Sequence, residues 1–325
     1  MLILYFYYCF IKYENWLLKR MNKVIITGVT GFIGNQLAIA LLEKGVEVYG
    51  VGRNKAILEK LSINKSFHPI EAEFEDYFTL DQKIIDREFD VFFHIAHLGV
   101  NGENKNDYRI QLMNTTVSCD AVISAKRLGC KRFLFAGSVD EYEACIKPDA
   151  QFIMPSHSRI YGITKFAAEN IGKIIALNYD IEFVGAILAL TFGEGNKTNI
   201  LPNTIIRNSE KGTPLKLISG NTLFDMNYID ETIGGLIAIA EKGINLESYY
   251  VGHHELLTFK DVVFNVCTIL KSNCELRFGE YPDPDYNVDY SSINRQKLYK
   301  HTGYKCEANF EDSILKTREW LRKVD

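Results

Sequence analysis

Proline is scarce in this chain, with 7 residues in 325, and tryptophan scarcer, with 2. No proline-rich linker, low-complexity tract or internal repeat divides the sequence, so nothing points to a string of loosely tethered modules. The seven cysteines (Cys9, Cys119, Cys130, Cys145, Cys267, Cys274 and Cys306) are odd in number, widely spread and without a C-x-x-C pair. That pattern excludes a disulfide framework or a zinc ribbon and fits reduced thiols in a cytoplasmic protein. His253-His254 lacks a second ligand pair at helical spacing, so no metal is expected. Charge of one sign is also missing. Lys and Arg number 37 against 41 Asp and Glu, giving a net charge of −4 without a basic stripe, so no nucleic-acid partner is expected. No apolar run reaches the roughly 20 residues needed to span a bilayer. In MLILYFYYCFIKYENWLLKR the early run ends at Lys12, and its apolar-then-basic order is the reverse of a secretory signal. Residues 1–20 therefore read as an extension outside the fold, with an interfacial anchor as the alternative, and no membrane partner is expected of the fold itself.

What remains is a globular composition, 47% hydrophobic and 24% charged, long enough to bury a large core. From Lys23 the chain reads KVIITGVTGFIGNQLAIALLEKG: a β-branched run, a glycine turn, then Ile33, Leu37 and Leu41 at helical spacing and Gly45 as the stop. Gly28, Gly31 and Gly34 stand in GxxGxxG spacing between that strand and helix. Such a turn lets backbone approach a pyrophosphate and aims the N–H groups of the first helical residues, Phe32 and Ile33 among them, at it. A dinucleotide cofactor follows. A second strand, VEVYGVG, ends at Arg53, where an NAD-selective site would place a carboxylate against the ribose. A guanidinium there can pair with a 2′-phosphate, so NADP is favoured over NAD. A third strand near His68–Glu73 brings Glu73 toward the adenine side, and a fourth, FDVFFHIAH, is apolar enough to be buried on both faces, its small Ala96 leaving room for the cofactor.

Residues Tyr108–Gly129 are helical by pattern, and KRFLFAGS is a fifth strand ending at Ser138. A further helix begins near Ser158 and carries Tyr161 and Lys165 four residues apart, on one face, where the ammonium is expected to lower the phenol's pKa from its ordinary value near 10. A second Y-x-x-x-K at Tyr8 and Lys12 shows that the pair alone arises by chance. Position singles out Tyr161 and Lys165, since they follow five βα units and a strand whose carboxyl end offers the hydroxyl of Ser138.

Together TGVTGFIG, HIAH, the helix containing Asn114, KRFLFAGS and YGITK resemble the extended short-chain dehydrogenase/reductase family of nucleotide-sugar epimerases, dehydratases and reductases, over nearly the whole chain from Met21. The resemblance implies an α/β fold: a doubly wound Rossmann sheet of about seven parallel strands over 21–192, with a smaller substrate-binding part over 193–325 that partly returns to the sheet. It implies Tyr161 as catalytic acid/base, Lys165 on the nicotinamide ribose, Ser138 on the reacting oxygen and Asn114 bracing the active-site helix. It also implies a nucleotide-diphosphate sugar as substrate and a homodimer through the helices carrying Asn114 and Tyr161. Hydride transfer at a sugar carbon, typically C4, would make the chain a 4-epimerase or a 4-ketoreductase resembling abequose-synthase-like enzymes, with a place in polysaccharide biosynthesis.

Two departures bear on the substrate. Where family members carry arginines that clamp the diphosphate, this chain has Ile187 and Phe224, leaving Arg207, Lys211, Lys216 or Arg295 to act in their stead. A 4,6-dehydratase, the alternative, needs an acidic pair after the catalytic hydroxyl. Here Val139 fills the acid's place and Asp140 alone falls where a base could act, while Asp140, Glu141 and Glu143 read more simply as a solvated acidic loop. A non-catalytic dinucleotide-binding protein is the remaining alternative, although such a protein would be expected to have lost the hydroxyl, the phenol or the amine.

Overall fold

In a computed structural model the chain is described over residues 21–143, 159–253, 255–283 and 288–325. The extension at 1–20 with Cys9, Cys145, His254 and residues 284–286 of the Tyr281–Tyr286 loop lie outside these residues. Five strand–helix repeats, the third closed only by a 3-10 segment and the single turn Leu80–Lys83, build the first half. Strand β1 (Lys23–Thr27) leads to α1 (Phe32–Glu43), β2 (Glu47–Gly52) to α2 (Lys55–Leu61), and β3 (Phe67–Glu71) through a short 3-10 segment to β4 (Val91–His94). Helix α3 (Tyr108–Arg127), strand β5 (Arg132–Ser138), helix α4 (Arg159–Asn178) and strand β6 (Glu182–Leu188) follow. The observed bounds lie within a few residues of those read from sequence.

All pairings in the main sheet are parallel, in the order β11-β6-β5-β4-β1-β2-β3, where β11 is Ser248–Val251. Both faces are covered, which explains why these strands are apolar without alternation. Along β4, Phe92 faces the helix α3 side while Phe93 faces the α1 side, and Ile25 and Ile26 divide in the same way. On the α3 side Phe92, Phe133 and Phe183 stack across three strands with ring centroids 5.3 and 5.4 Å apart. Such offset aromatic pairs add about 0.5–1.5 kcal/mol each beyond their buried area.

Beyond β6 the described residues make three small two-stranded sheets. Strand β7 (Leu190–Phe192) pairs with β10 (Met226–Tyr228), β9 (Leu223–Phe224) with β12 (Leu257–Thr258), and β8 (Leu215–Leu217) with β13 (Leu276–Phe278). Helices α5 (Leu201–Lys211), α6 (Ile229–Lys242), α7 (Phe259–Leu270), α8 (Lys297–Thr302) and α9 (Phe310–Val324) accompany them. Helix α6 runs directly on from β10 and feeds β11, so this part of the chain returns to the edge of the main sheet. No helix among the described residues is long and apolar enough to cross a membrane.

The strand order reverses between β1 and β4, and there Thr27 and His94 lie opposite each other. The Ser118 hydroxyl donates to the Asn114 carbonyl (2.8 Å), so it accepts from His94 Nε2 (3.0 Å), and His94 Nδ1 accepts from the Thr27 hydroxyl (3.0 Å). Burial pushes the pKa of His94 from 6.5 down to about 3, with the Lys165 charge assisting. Because the folded value lies below the free one, an unfolded chain binds a proton through this interval that the folded chain refuses. The His94 contribution to stability is therefore present above pH 6.5 and lost as pH falls toward 3. Between pH 7 and pH 5 urea unfolding should lose about 2 kcal/mol of stability from this group, and His94→Gln should flatten that part of the pH dependence.

Candidate active site

A cleft of about 1100 Å³ runs along the carboxyl edge of the main sheet and crosses the switch point between β1 and β4. At its near end lies the glycine turn. Gly28 has φ +71°, and a Cβ built on it would stand 2.8 Å from the Cα and N of Ala96, so the turn after β1 rests directly on the chain leaving β4. A Cβ on Gly34 would meet the Gly28 carbonyl at 2.2 Å, which presses helix α1 onto the turn. Gly31 caps α1 with extended backbone and no side-chain hydrogen bond. The first-turn N–H groups thus have no capping side chain, and Phe32, Ile33 and Ala96 line the cleft beside them. That is the donor arrangement a pyrophosphate requires, and the residues present fit a bound dinucleotide.

Arg53 and Glu73 both reach the rim of this end, as expected, but they also face each other at 3.8 Å, and the Arg53 guanidinium lies 5.6 Å from the Phe74 ring centroid. Glu73 belongs as well to a capping box with Asp76. These positions were read from sequence as separate contacts, and the fold makes them neighbours because β2 and β3 end side by side.

At the centre of the cleft α4 carries Tyr161 and Lys165 under the end of β5. Lys165 is 4% exposed, and its Nζ donates to the Ala136 carbonyl at 2.6 Å. Burial lowers its pKa from 10.5 to about 8, against an opposing pull from Glu141, Glu169 and Asp140. The Tyr161 phenol lines the cleft together with Ser138, whose hydroxyl acts on it. Its pKa is raised rather than lowered, by burial first and by Asp140 second, with only the Ser138 contact acting the other way. The expected depression by Lys165 is corrected here. The ammonium is drawn to the Ala136 carbonyl, and desolvation of the phenol outweighs what remains.

Sequence reasoning missed two groups around the phenol. Lys105, from a short turn after β4, lies 4.8 Å from the Tyr161 ring centroid and donates to Asp140 Oδ2 at 2.7 Å. His97 meets the Tyr161 ring edge-on, with centroids 5.2 Å apart. Its Nε2 is 3.0 Å from Gln111 Oε1 and 3.2 Å from Asn114 Nδ2. Burial holds it well below an ordinary histidine, so it is a neutral imidazole. The second histidine of HIAH was the available signal for His97, and Lys105 had none. Asn114 is 2% exposed and exchanges hydrogen bonds with the backbone of Leu98 (2.9 Å each way). It braces the loop after β4 and His97, while the neighbouring Thr115 hydroxyl makes the direct bond to α4, at Thr164 O (3.1 Å).

The two carboxylates after Val139 part company. Asp140 faces the cleft, whereas Glu141 is 2% exposed and buried behind Ser138, whose N–H it accepts at 2.7 Å. The solvated acidic loop read from sequence is thereby corrected for Glu141. A residue three beyond Ser138 folds back under the strand end because Gly137 leaves it room.

The far side of the cleft, from β9 onward, is lined by Phe224, Asp225 and Tyr290. Asp225 accepts from the Tyr250 hydroxyl at 2.7 Å, and burial raises its pKa to about 6. Among the described residues the cations lining the cleft are Arg53, Lys105 and Lys165. The expected substitutes for the diphosphate clamp are not among the lining residues. Arg207 pairs with Asp325 (2.7 Å), Lys216 faces Glu280 (3.6 Å), and Arg295 donates to the His253 carbonyl.

A glycine-turn dinucleotide site with a tyrosine, a lysine and a hydroxyl at its centre defines an α/β enzyme of the nicotinamide-dependent class. The chain belongs to the NAD dependent epimerase/dehydratase family, whose model matches residues 24–252. It is 24% identical to CDP-abequose synthase of Yersinia pseudotuberculosis over 85% of this chain and 97% of that protein. It is 23% identical to a probable dTDP-glucose 4,6-dehydratase of Sinorhizobium fredii over 92% of each. UDP-glucuronic acid 4-epimerase from Bacillus cereus, solved in complex with NAD, superposes with a TM-score of 0.74 at 21% identity, over 93% of this chain and 97% of that one, which shows the shared extended fold.

The glycine packing is directly testable. Gly34→Ala places a methyl against the Gly28 carbonyl in a backbone contact that cannot rotate away. It should destabilise the protein by about 1–3 kcal/mol and weaken dinucleotide binding, as measured by thermal melts with and without NAD(P).

Proposed function

We propose that the protein transfers hydride between a nicotinamide dinucleotide and C4 of a nucleotide-diphosphate sugar, as a 4-ketoreductase or a 4-epimerase. The observation carrying this reading is the convergence of Tyr161, Ser138 and Lys165 at the carboxyl edge of the sheet, beside the glycine turn. The first turn of α1 with Gly28, Gly31 and Gly34 would hold the pyrophosphate, Glu73 would face the adenine side, and Lys165 would hold the nicotinamide ribose. When bound, the nicotinamide supplies or accepts the hydride. Tyr161 delivers or removes the proton at the sugar oxygen, Ser138 orients that oxygen, and Asn114 keeps His97 and Leu98 in place around them. The substrate sugar and its nucleotide would lie along the 193–325 side, against Phe224, Asp225 and Tyr290.

Reduction is favoured on one local ground. A phenol kept protonated by burial is ready to donate to an oxygen that gains charge, as the oxygen of a 4-keto sugar does when it accepts hydride. The similarity to CDP-abequose synthase supports the same direction. For elimination the cleft offers one carboxylate after Val139, already engaged by Lys105, so the dehydratase reading draws less support. We also infer a preference for NADP, with Arg53 turning from Glu73 to a 2′-phosphate, and a homodimer formed through the outer faces of α3 and α4. Leu112, Ile163, Ile174 and Leu177 on those faces are 52–59% exposed. The free thiols Cys119, Cys130, Cys267, Cys274 and Cys306 fit a cytosolic setting.

Purified protein should consume NADPH with a nucleotide-linked 4-keto sugar. Interconversion of C4 epimers with tightly retained NAD would establish the epimerase instead, and neither activity across a panel of nucleotide sugars would overturn the reading. Tyr161→Phe should lower kcat about 10²–10⁴-fold with cofactor affinity retained. Arg53→Ala should raise KM for NADPH over that for NADH by about tenfold, or about 1.4 kcal/mol.

A further inference from the structure

Below the Tyr161–Lys165 face, one and two turns further along α4, lie Glu169 and Lys173. Glu169 is 4% exposed. Its Oε1 accepts from Lys173 Nζ (2.6 Å) and from the Ser248 hydroxyl on β11. Its Oε2 is buried with no hydrogen-bond donor among the described residues. Beside Glu169 lies a second buried carboxyl, that of Glu141, itself 2% exposed, and the Glu169 charge bears directly on it.

The sheet is shaped to admit both. A Cβ on Gly137 of β5 would stand 2.4 Å from Glu141 Oε1, and a Cβ on Gly185 of β6 would stand 2.8 Å from Glu169 Oε1. The two glycines belong to adjacent paired strands, so the missing side chains open one continuous recess beneath the cleft.

Two carboxylates buried side by side repel each other unless one of them holds a proton, and an unpaired buried carboxylate oxygen is a costly group to leave unsatisfied. Lys173 and Ser248 both donate to Glu169, which locates the negative charge there. We propose that Glu141 is a neutral acid that donates its proton to Glu169, and that this singly protonated pair is a positioning device. In it Glu141 fixes the Ser138 backbone while the Glu169 charge supports Lys165 as an ammonium. Among the described residues the charged groups facing the pair are Lys165 and Lys173 on α4, while Asp140, on the cleft side, acts on Lys165. Strands β5 and β6 present glycine there, and β11 presents the Ser248 hydroxyl. Burial and the neighbouring Glu169 raise the pKa of Glu141 well above the ordinary carboxyl range, in the same direction.

The roles of Ser138 and Lys165 rest on the reading of the preceding subsection, whereas the protonation of Glu141 does not, so the test has a spectroscopic arm and a kinetic arm. In infrared difference spectra at neutral pH, the wild type should show the carbonyl stretch of a protonated carboxylic acid that Glu141→Gln lacks. Persistence of the full band in Glu141→Gln overturns the proposal. In pH profiles of kcat, the alkaline limb that reports Lys165 should keep its position in Glu141→Gln, where an uncharged group replaces an uncharged group. In the double variant Glu141→Gln/Glu169→Gln it should move to lower pH by about 1 unit or more, because the supporting charge is gone. A shift in Glu141→Gln as large as in the double variant, or a double variant with the wild-type limb, also overturns it. If the double variant does not fold, the band and the single-variant profile still decide. If Tyr161→Phe retains full activity, the site reading fails while the infrared arm stands.

Discussion

Lys165 has almost no exposed surface, yet it carries the one bond on which the geometry of the cleft depends, from its Nζ to the Ala136 carbonyl at 2.6 Å. That contact ties the first turns of α4 to the last residues of β5. It places Tyr161, one turn earlier, beside Ser138 at the strand end, and leaves the helix no freedom to turn its polar face toward solvent. Aligned behind Lys165 are Glu169 and Lys173, so a single stripe of α4 runs from the cleft to the recess beneath it. A buried ammonium is unfavourable by itself. Its presence here requires the Ala136 carbonyl and the acidic groups around it, and those in turn need the glycines at 137 and 185 that let carboxyls approach the sheet.

Protonation states in this molecule follow from burial more than from local sequence. Neutral His94 and His97, a protonated Tyr161 phenol and a depressed Lys165 share one cause, the removal of water from the carboxyl edge of a sheet covered on both sides. The same low-dielectric setting makes each remaining charge consequential. Asp140 is answered by Lys105, and Glu169 by Lys173. The cleft is thus a site in which charge has been arranged in pairs around a small number of uncharged donors.

Its two ends differ in kind. The dinucleotide end is made by backbone: a positive φ at Gly28, a helix start without a side-chain cap, and close packing of the turn on Ala96. The far end is made by side chains, mostly aromatic or apolar, with Asp225 among them and no cation contributed by the described residues of the 193–325 part. Backbone recognition tolerates drift in surrounding residues, and side-chain recognition does not.

The glycine spacing after β1, the apolar run of β4 and the i, i+4 placement of Tyr161 and Lys165 were legible in the sequence. Each is local: strand, turn and helix periodicity act over a few residues, and the parallel sheet follows from their alternation. Lys105 and His97 against the phenol, Arg53 beside Glu73, and Glu141 against Glu169 were not legible, because each pairing joins residues from separate elements whose approach is set by strand order. The direction of the Tyr161 shift lay with them. Sequence alone put an ammonium four residues from a phenol, but only the tertiary structure decided that the ammonium would spend its hydrogen bond on Ala136 and that the phenol would lose its water. Desolvation is a property of everything packed around a group, and no window of sequence contains it.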